Sequence, residues 1–350
     1  MYPFYLGMDL HLNKSYMVLM NQSGNIELEG EISNSVIKDF LKKEIPATTY
    51  AVLEATRNWP FAYDLLTEHV QRVELAHPKQ LKAISAAAVK TDRIDARTLA
   101  HLARLNYLPT SYAAPMDIRD LRLRMRHRTW LIRQRTQCKN RIHAVLARYN
   151  LVSPVSDLFG PSGRAWLAET AVMVRPTGRD VIKDNLFLID WITQKEKKII
   201  QDVGLDEEQR LTYRLLTGMP GIGPITALTM IGEIGDIRRF NSPKSLCNWA
   251  GLTPKEHSSG DIVRRGRISK EGSSHLRFVL SQAAIAASRK SKRFRSLHDR
   301  FVKRQGRKAA KVTLARKLLT VAYYVWIRGQ PYREDYVHSC KTHNTREPVE

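Results

Sequence analysis

The chain has 350 residues, long enough for at least two domains, because single hydrophobic cores seldom grow beyond roughly 250 to 300 residues. Its formal charge of +23 and its pI near 10.1 favour a polyanionic partner such as nucleic acid. No run approaches the roughly 18 to 20 apolar residues that span a bilayer, and the first residues lack a signal-peptide layout, so we expect no membrane partner and a cytoplasmic location. Three separated cysteines, Cys138, Cys247 and Cys340, support neither a disulfide framework nor a zinc site.

The first part of the chain predicts an α/β domain. Short apolar runs, beginning with FYLGMD and SYMVLM, are separated by turn residues. The segment NQSGN at residues 21–25 predicts a hairpin turn, so we expect the first three strands to form an antiparallel meander. Two further strands, TTYAVLEA and VELAHP, each follow a predicted helix. Residues 79–105 predict one continuous helix.

The rest of the chain predicts helices. A linker, PTSYAAP, precedes a long basic helix over residues 117–149. A turn-rich gap over 153–176 and a helix over 180–216 follow, which indicates an antiparallel helical hairpin or coiled coil. From Met219 the chain is helical and very basic. We therefore expect an α/β domain at residues 1–108, a helical coiled-coil connector at 109–215, a mostly α-helical C-terminal domain at 216–330 and a loosely ordered tail at 331–350.

Four carboxylates in the first domain fall at positions that suit a metal site. Asp9 interrupts an apolar strand, where an ionised carboxylate loses hydration and needs a partner. Glu54 ends another strand, and the carboxyl ends of adjacent parallel strands converge on one crevice. Asp92 and Asp95 are three residues apart at a helix start and share a face. Four such acids would repel one another without cations between them, and carboxylate oxygens suit Mg²⁺ or Mn²⁺.

Each acid also has a simpler structural interpretation. The segment TDRID is compatible with a helix N-cap followed by a first-turn acid that favours the helix dipole. Asp9 and Glu54 are compatible with surface acids at strand ends. The order of one strand acid, one strand-end acid and two helix acids is more specific than any member alone. It is the layout of a ribonuclease-H-like fold, in which two metal ions roughly 3.5 to 4 Å apart act on a phosphodiester.

The C-terminal region contains two further motifs. In PGIGP, Gly221 and Gly223 would let the backbone approach a phosphate at a helix start, as in a helix-hairpin-helix, although a plain tight turn is the alternative. In GLTPKEHSSG, Ser258 and Ser259 precede a strongly basic run. A serine hydroxyl is a poor nucleophile unless a base or metal activates it, so the residues alone leave both serines as loop hydrogen-bonding groups.

Basic residues in the connector and in the C-terminal domain are candidates for neutralising phosphates, with Trp249 and Phe294 available for stacking on bases. The residues that we predict to bind nucleic acid are Arg122, Arg126, Arg133, Lys139, Arg141, Gly221, Gly223, Arg264, Arg265, Lys270 and Arg277.

The sequence around the acids resembles a known family. GMD, LEAT and KTDRIDARTLA resemble the DEDD signature of insertion-sequence transposases related to the Piv invertase, whose catalytic domain is similar to the RuvC junction resolvase. RTQCKNRIHAVL, GMPGIGPITA and NWAGLTPKEHSSGDIVRRGRISKEGSSHLR resemble the later regions of that family. One departure is Arg57, which stands where the family often has Gly after Glu-Ala-Thr.

The resemblance implies a DNA transposase or site-specific recombinase. It implies a nucleophilic serine that maps onto Ser259 and forms a covalent phosphoserine link, with Ser269, Ser273 and Ser274 as nearby rivals. The implied metal is Mg²⁺ or Mn²⁺, held by Asp9, Glu54, Asp92 and Asp95. The implied partners are element-end and target DNA, a structured non-coding guide RNA, and further copies of the chain in a dimer or tetramer. The implied location is bacterial and nucleoid-associated.

Two other functions are compatible with the sequence. A metal-dependent, RuvC-like junction endonuclease would use the four acids and need no serine. A non-catalytic nucleic-acid-binding protein would use the acids only as caps and strand ends.

Overall fold

The computed structural model describes residues 2–84, 91–259 and 262–334, without the side chains of residues 256–265. It divides into two compact units, Met1–Ala113 and Ala114–Glu350. Among the described residues, no helix is both long enough and apolar enough to cross a membrane.

The first unit is built on a six-stranded mixed sheet. Its strands are β1 Phe4–Leu10, β2 Lys14–Asn21, β3 Ile26–Ser33, β4 Thr49–Glu54, β5 Arg72–Ala76 and β6 Thr110–Ser111. The spatial order is β3-β2-β1-β4-β5-β6, with β1, β4 and β5 mutually parallel and the other pairs antiparallel. The predicted meander is confirmed, and its hairpin closes where the Asn21 N–H donates to the Asn25 carbonyl at 3.0 Å.

Helices cover both faces of this sheet. They are α1 Ile37–Glu44, α2 Trp59–Thr67, α3 Pro78–Ile84 and α4 Asp92–Arg104. The prediction of one helix over residues 79–105 is wrong. Thr91 is extended, with φ at −141°, and its hydroxyl accepts the Ile94 N–H at 3.2 Å, so α4 starts afresh at Asp92.

The side chains of β1 alternate between two hydrophobic cores on opposite faces of the sheet. Leu6, Met8 and Leu10 lie in the core that includes residues of α1 and α2. Tyr5 lies in the opposite core, which includes residues of α4. Because successive side chains point to opposite faces, Asp9 belongs to the α4 face.

The second unit is mostly helical. Its helices are α5 Met116–Arg148, α6 Pro161–Thr170, α7 Pro176–Gln201, α8 Glu207–Thr217, α9 Pro224–Ile234, α10 Pro243–Trp249, α11 Ser274–Lys290 and α12 Lys292–Arg328. Two short 3-10 turns cover Ala171–Met173 and Ile237–Arg239, and a hairpin joins β7 Pro254–Ser259 to β8 Ile262–Ile268. Gly306 interrupts α12 with φ at 78° and divides it into two helical segments.

The long basic helix α5 pairs with α7. Arg128 contacts Glu196 near one end of the pair, and the Arg175 N–H donates to the Tyr149 hydroxyl near the other, so the two helices run antiparallel. Two predictions in this region are wrong. The gap at 153–176 contains α6, and the helix at 180–216 is broken before α8, where Asp206 forms a capping box that starts a new helix.

Candidate functional site

The sheet brings two of the predicted acids to the same edge. In the parallel register of β1 and β4, Met8 lies opposite Leu53, so Asp9 and Glu54 follow as neighbours at the strand ends. Tyr50 and Val52, which alternate with Glu54 along β4, lie in the core on the α4 face. Asp9 and Glu54 therefore share one face and one edge of the sheet.

Helix α4 supplies the other two acids. Asp92 is its first residue and Asp95 lies in its first turn. Burial raises the pKa of the Asp9 carboxyl, His11 opposes the rise, and the negative charges of Asp92, Asp95 and Glu54 add to it. The pKa of Asp9 therefore responds to all three other acids, as expected for carboxylates gathered around one pocket.

Contacts with the sheet hold the start of α4. The Arg93 guanidinium lies 2.8 Å from one Glu29 carboxylate oxygen, and Arg97 donates to the other from Nε at 2.8 Å. Glu29 lies on β3, so these ion pairs tie the first turns of α4 to the outer strand of the meander. They fix the direction from which Asp92 and Asp95 approach the strand ends.

His11 is a member of the cluster that we did not predict from the sequence. Its Nε2 lies 3.4 Å from Asp9 Oδ2 and 3.2 Å from Asp92 Oδ2. Asp9, His11 and Asp92 each offer a ligand atom, and these three atoms lie within 4.8 Å of one another. The sequence gives only a partial signal, because His11 follows Asp9 by two residues just after β1, and the position of Asp92 at the start of α4 completes the cluster.

The donor set fits a divalent cation. Carboxylate oxygens are the ligands of hard cations, and imidazole is compatible with several transition metals. Burial, together with the charges of three other acids, raises the pKa of the buried Asp9 carboxyl, and a bound cation would favour its ionised form.

The predicted nucleophile lies in the second unit, at the end of β7. Backbone pairing places Ser259 opposite Ile262 in the β7–β8 hairpin. The side chains of Ser259, Arg264 and Arg265 lie outside the described residues, as does that of Ser258.

The rival serines have different surroundings. The Ser273 hydroxyl accepts the Leu276 N–H at 3.2 Å and caps α11. The Ser269 hydroxyl is buried and makes no hydrogen bond within the described part of the chain. Ser274 is exposed in the first turn of α11.

Several residues predicted to bind nucleic acid make contacts inside the second unit. Arg126 forms a two-pronged ion pair with Glu233 of α9, at 2.7 and 2.8 Å. Arg122 Nε donates to the Gly232 carbonyl at 2.8 Å. Arg277 donates to the Ala250 carbonyl at 3.2 Å, and desolvation lowers its pKa. These contacts give the three arginines structural roles.

The two glycines of PGIGP also differ. A Cβ on Gly221, which has φ at +82°, would lie 2.3 Å from the Ala283 carbonyl oxygen, so this glycine lets the turn pack against α11. Gly223 has open space around it and caps α9 with its backbone.

Other predicted contacts remain at the surface. Arg133 and Arg141 are exposed on α5, and Lys270 is exposed in a left-handed conformation with φ at 58°. The Lys139 ammonium lies 4.5 Å from the centre of the Phe159 ring.

The two aromatic residues expected to stack on bases are engaged elsewhere. Phe294 is fully buried and its ring stacks on Tyr332, so the prediction for Phe294 is wrong. Trp249 packs edge-on against Phe240, with the Arg239 guanidinium 4.6 Å from the centre of its ring.

A basic groove that we did not single out from the sequence lies along the first segment of α12. Its volume is about 520 Å³. It is lined by Lys292, Arg295, Ser296, Asp299, Arg300 and Lys303. The cations are three to five residues apart, which places them along one side of a helix. This spacing is the sequence signal that could have identified the groove.

Two family profiles match the chain. One, for the DEDD transposases of the IS110 type, matches residues 6–151, and the other, described as the transposase IS116/IS110/IS902 family, matches residues 213–299. Together they cover more than half of the chain, including all four acids and Ser259. The chain is thus a protein of the insertion-sequence transposase class. Specifically, it carries the transposase domains of the IS110/IS116/IS902 family.

Individual relatives span most of the chain. The protein y4pF/y4sB of Sinorhizobium fredii is 28% identical over 345 residues, which cover 94% of this chain and 85% of the relative. The transposase for insertion sequence element IS1111A of Coxiella burnetii is 27% identical, over 74% of this chain and 72% of its own. The pilin gene-inverting protein of Moraxella lacunata is 27% identical, over 82% of each chain.

Proposed function

We propose that the protein is a DNA transposase or site-specific recombinase of an insertion sequence, which cuts and rejoins DNA strands. The observation that carries this proposal is the convergence of Asp9 and Glu54, at the ends of adjacent parallel strands, with Asp92 and Asp95 in the first turn of α4. The matching transposase profiles and the relatives named for transposition or gene inversion support it.

In this proposal the four acids hold Mg²⁺ or Mn²⁺ in a ribonuclease-H-like, RuvC-like domain. The bound ions would stabilise the negative charge that develops on the attacking and leaving oxygens of the phosphodiester. Asp9 and Glu54 supply ligands from the rigid sheet, and Asp92 and Asp95 supply them from the helix. Sites built on regular elements hold their ligands more precisely than sites on loops.

The proposed nucleophile is Ser259. Its Oγ forms a bond to the scissile phosphorus while the phosphorus bond to the departing DNA oxygen breaks, and the serine proton ends on that oxygen. One phosphoester replaces another, so the step needs no oxidant or reductant. The family resemblance of the GLTPKEHSSG segment and the basic residues that follow it support this assignment.

The proposed partners are polyanions. The net charge of +23 supports binding to element-end and target DNA. Exposed Arg133 and Arg141 on α5, together with the α12 groove, provide cations to which phosphates can bind. Assembly as a dimer or tetramer and guidance by a structured RNA follow from the family resemblance, and the positive charge is compatible with the latter.

A second candidate is a metal-dependent junction endonuclease without a covalent serine intermediate. The first unit favours this candidate, because it contains all four proposed metal ligands. Such an enzyme would cut DNA by activating water and would leave no protein attached to the strand.

The proposal is tested with the Asp9→Asn variant of the full-length protein, using DNA carrying the element ends and Mg²⁺. We expect strand cutting to be lost while the gel mobility shift of the DNA is retained. The control is Asp39→Asn, which makes the same charge change at an exposed position of α1 and should cut normally. Unchanged cutting by Asp9→Asn would instead identify a protein whose acids have only structural roles.

A further inference from the structure

We propose that His11 is a ligand of one metal ion beside Asp9 and Asp92, and that its nitrogen gives the site a preference for Mn²⁺ over Mg²⁺. This inference rests on the proposed metal-dependent function. It adds an imidazole to a site that otherwise contains only carboxylates.

The imidazole of His11 lies where a shared cation would bind. Nε2 of His11 lies between two carboxylates, 3.4 Å from Asp9 and 3.2 Å from Asp92. These two acids come from different elements, β1 and α4. The histidine therefore faces the place where ligands from the strand and from the helix meet, and a cation there would be within reach of all three side chains.

Three hydrogen bonds fix the backbone of His11. Its carbonyl accepts two side-chain amides, from Asn58 Nδ2 at 2.8 Å and from Asn34 Nδ2 at 2.9 Å. Its N–H donates to the Lys14 carbonyl at 3.0 Å. The Asn34 amide is itself oriented, because its Oδ1 accepts the Ser15 hydroxyl at 2.6 Å.

Asn58 is informative because of where it lies. It occupies the N-cap position of α2, where an asparagine side chain ordinarily accepts an N–H of its own helix. It makes no such cap here, and its amide donates to His11. The Asn58 amide thus holds the backbone of the residue that follows β1, and with it the direction of the His11 side chain.

The donor atoms of this cluster differ in the cations that they prefer. Mg²⁺ prefers oxygen ligands in near-ideal octahedral geometry and keeps several of its waters. Imidazole nitrogen favours transition metals, and affinity for nitrogen-containing sites rises from Mn²⁺ through the later first-row ions. A site with one imidazole among carboxylates should therefore bind Mn²⁺ more tightly than Mg²⁺, and removal of the imidazole should reduce that difference.

The test measures metal binding directly by calorimetry, with the full-length protein and without DNA. We expect His11→Ala to weaken Mn²⁺ binding by about tenfold or more and Mg²⁺ binding by less than about threefold. His11→Gln, which keeps a hydrogen-bonding side chain without the imidazole, should behave like His11→Ala. The matched control is His101→Ala, at an exposed histidine of α4, which should change neither affinity.

Each other outcome has a defined meaning. If either His11 variant lowers the affinities for Mn²⁺ and Mg²⁺ by the same factor, His11 only positions the carboxylates and the ligand assignment is overturned. If neither variant changes Mn²⁺ binding, the assignment is also overturned. Asp9→Asn, measured in parallel, separates these results from failure of the proposed function, because a protein that uses the acids as ligands must lose affinity for both ions in that variant.

Discussion

The carbonyl oxygen of Ala96 lies 2.0 Å from the position that a Cβ on Gly7 would occupy. The same Cβ would lie 2.6 Å from the Ala100 nitrogen. Helix α4 therefore packs with its backbone directly against β1, and only glycine at position 7 permits that approach. The contact begins at Ala96, which is one turn beyond Asp92 and directly follows Asp95, and Gly7 lies two residues before Asp9, so the contact sets the distance across the candidate metal site.

Gly7→Ala should destabilise the protein and weaken metal binding. The added methyl meets backbone atoms that cannot rotate away, so α4 must shift, at a cost of about 1 to 3 kcal/mol or more. Chemical denaturation and Mn²⁺ calorimetry measure the two effects. Gly30→Ala on β3 is the control, since a Cβ there has nothing within 4 Å. Similar losses in both variants would contradict the account.

In the absence of metal and at neutral pH, the Asp9→Asn variant should be more stable than the wild-type protein. Because burial raises the pKa of Asp9 above its unfolded value of about 3.9, its protonated form favours folding. That contribution is full below the unfolded pKa and is lost as the pH rises through the folded pKa. Thermal melts in EDTA should therefore show Asp9→Asn unfolding at a higher temperature than wild type at pH 7, and the difference should shrink toward pH 4.

Addition of Mg²⁺ should reverse that order. An ion that binds only the folded state raises its stability, and the variant lacks one of the proposed ligands. Wild type should gain thermal stability with Mg²⁺ while Asp9→Asn gains little. Equal gains in the two proteins would show that Asp9 contributes nothing to metal binding.

Arg126→Ala should destabilise the second unit. It leaves the Glu233 carboxylate, whose side chain is only 3% exposed, without its two-pronged partner. Breaking a buried ion pair typically costs 3 to 5 kcal/mol, and because Arg126 itself is 46% exposed we expect the lower end, about 3 kcal/mol. Arg133→Ala, at an exposed position on the same helix, should leave the denaturation midpoint nearly unchanged. The reverse order of effects would show that Glu233 does not depend on Arg126.

Neutralising the α12 groove should reduce the salt dependence of DNA binding. For Arg300→Gln combined with Lys303→Gln, the slope of log association constant against log salt should become shallower by about 0.9 for each lost phosphate contact. Fluorescence anisotropy with labelled duplex DNA measures the slope. Lys42→Gln combined with Lys43→Gln removes the same charge from exposed positions of α1 and is the control. Equal slopes in the two double variants would exclude a specific role for the groove.

Much of the first unit could be predicted because its signals are local. Short apolar runs bounded by turn residues predicted β1 and β4, and the turn at residues 21–25 predicted the meander. From the general rule that the carboxyl ends of adjacent parallel strands converge, we expected Asp9 and Glu54 to face each other, and the register of β1 and β4 places them as neighbours. The expectation of one helix over residues 79–105 was wrong because the apolar pattern continues across the break, whereas the N-cap interpretation of TDRID agrees with the capping contact that Thr91 makes at the start of α4.

The features that could not be predicted depend on contacts between distant segments. Arg126 on a basic helix looked like a phosphate contact, and only the packing of α5 on α9 shows that it neutralises Glu233, which lies 107 residues further along the chain. Phe294 was expected to stack on bases, but it is fully buried and its ring stacks on Tyr332, which lies 38 residues further along the chain. His11 required knowledge of where α4 places Asp92.

The central claim is that the four acids and Ser259 act together in cutting and joining DNA. The most direct measurement incubates the protein with element-end DNA, the flanking non-coding RNA and Mg²⁺, and looks for a protein-linked DNA strand on a denaturing gel. We expect a protein–DNA adduct that disappears in Ser259→Ala and in Asp9→Asn. Full cutting by Ser259→Ala, with no adduct in wild type, would contradict the account and would identify a metal-only nuclease.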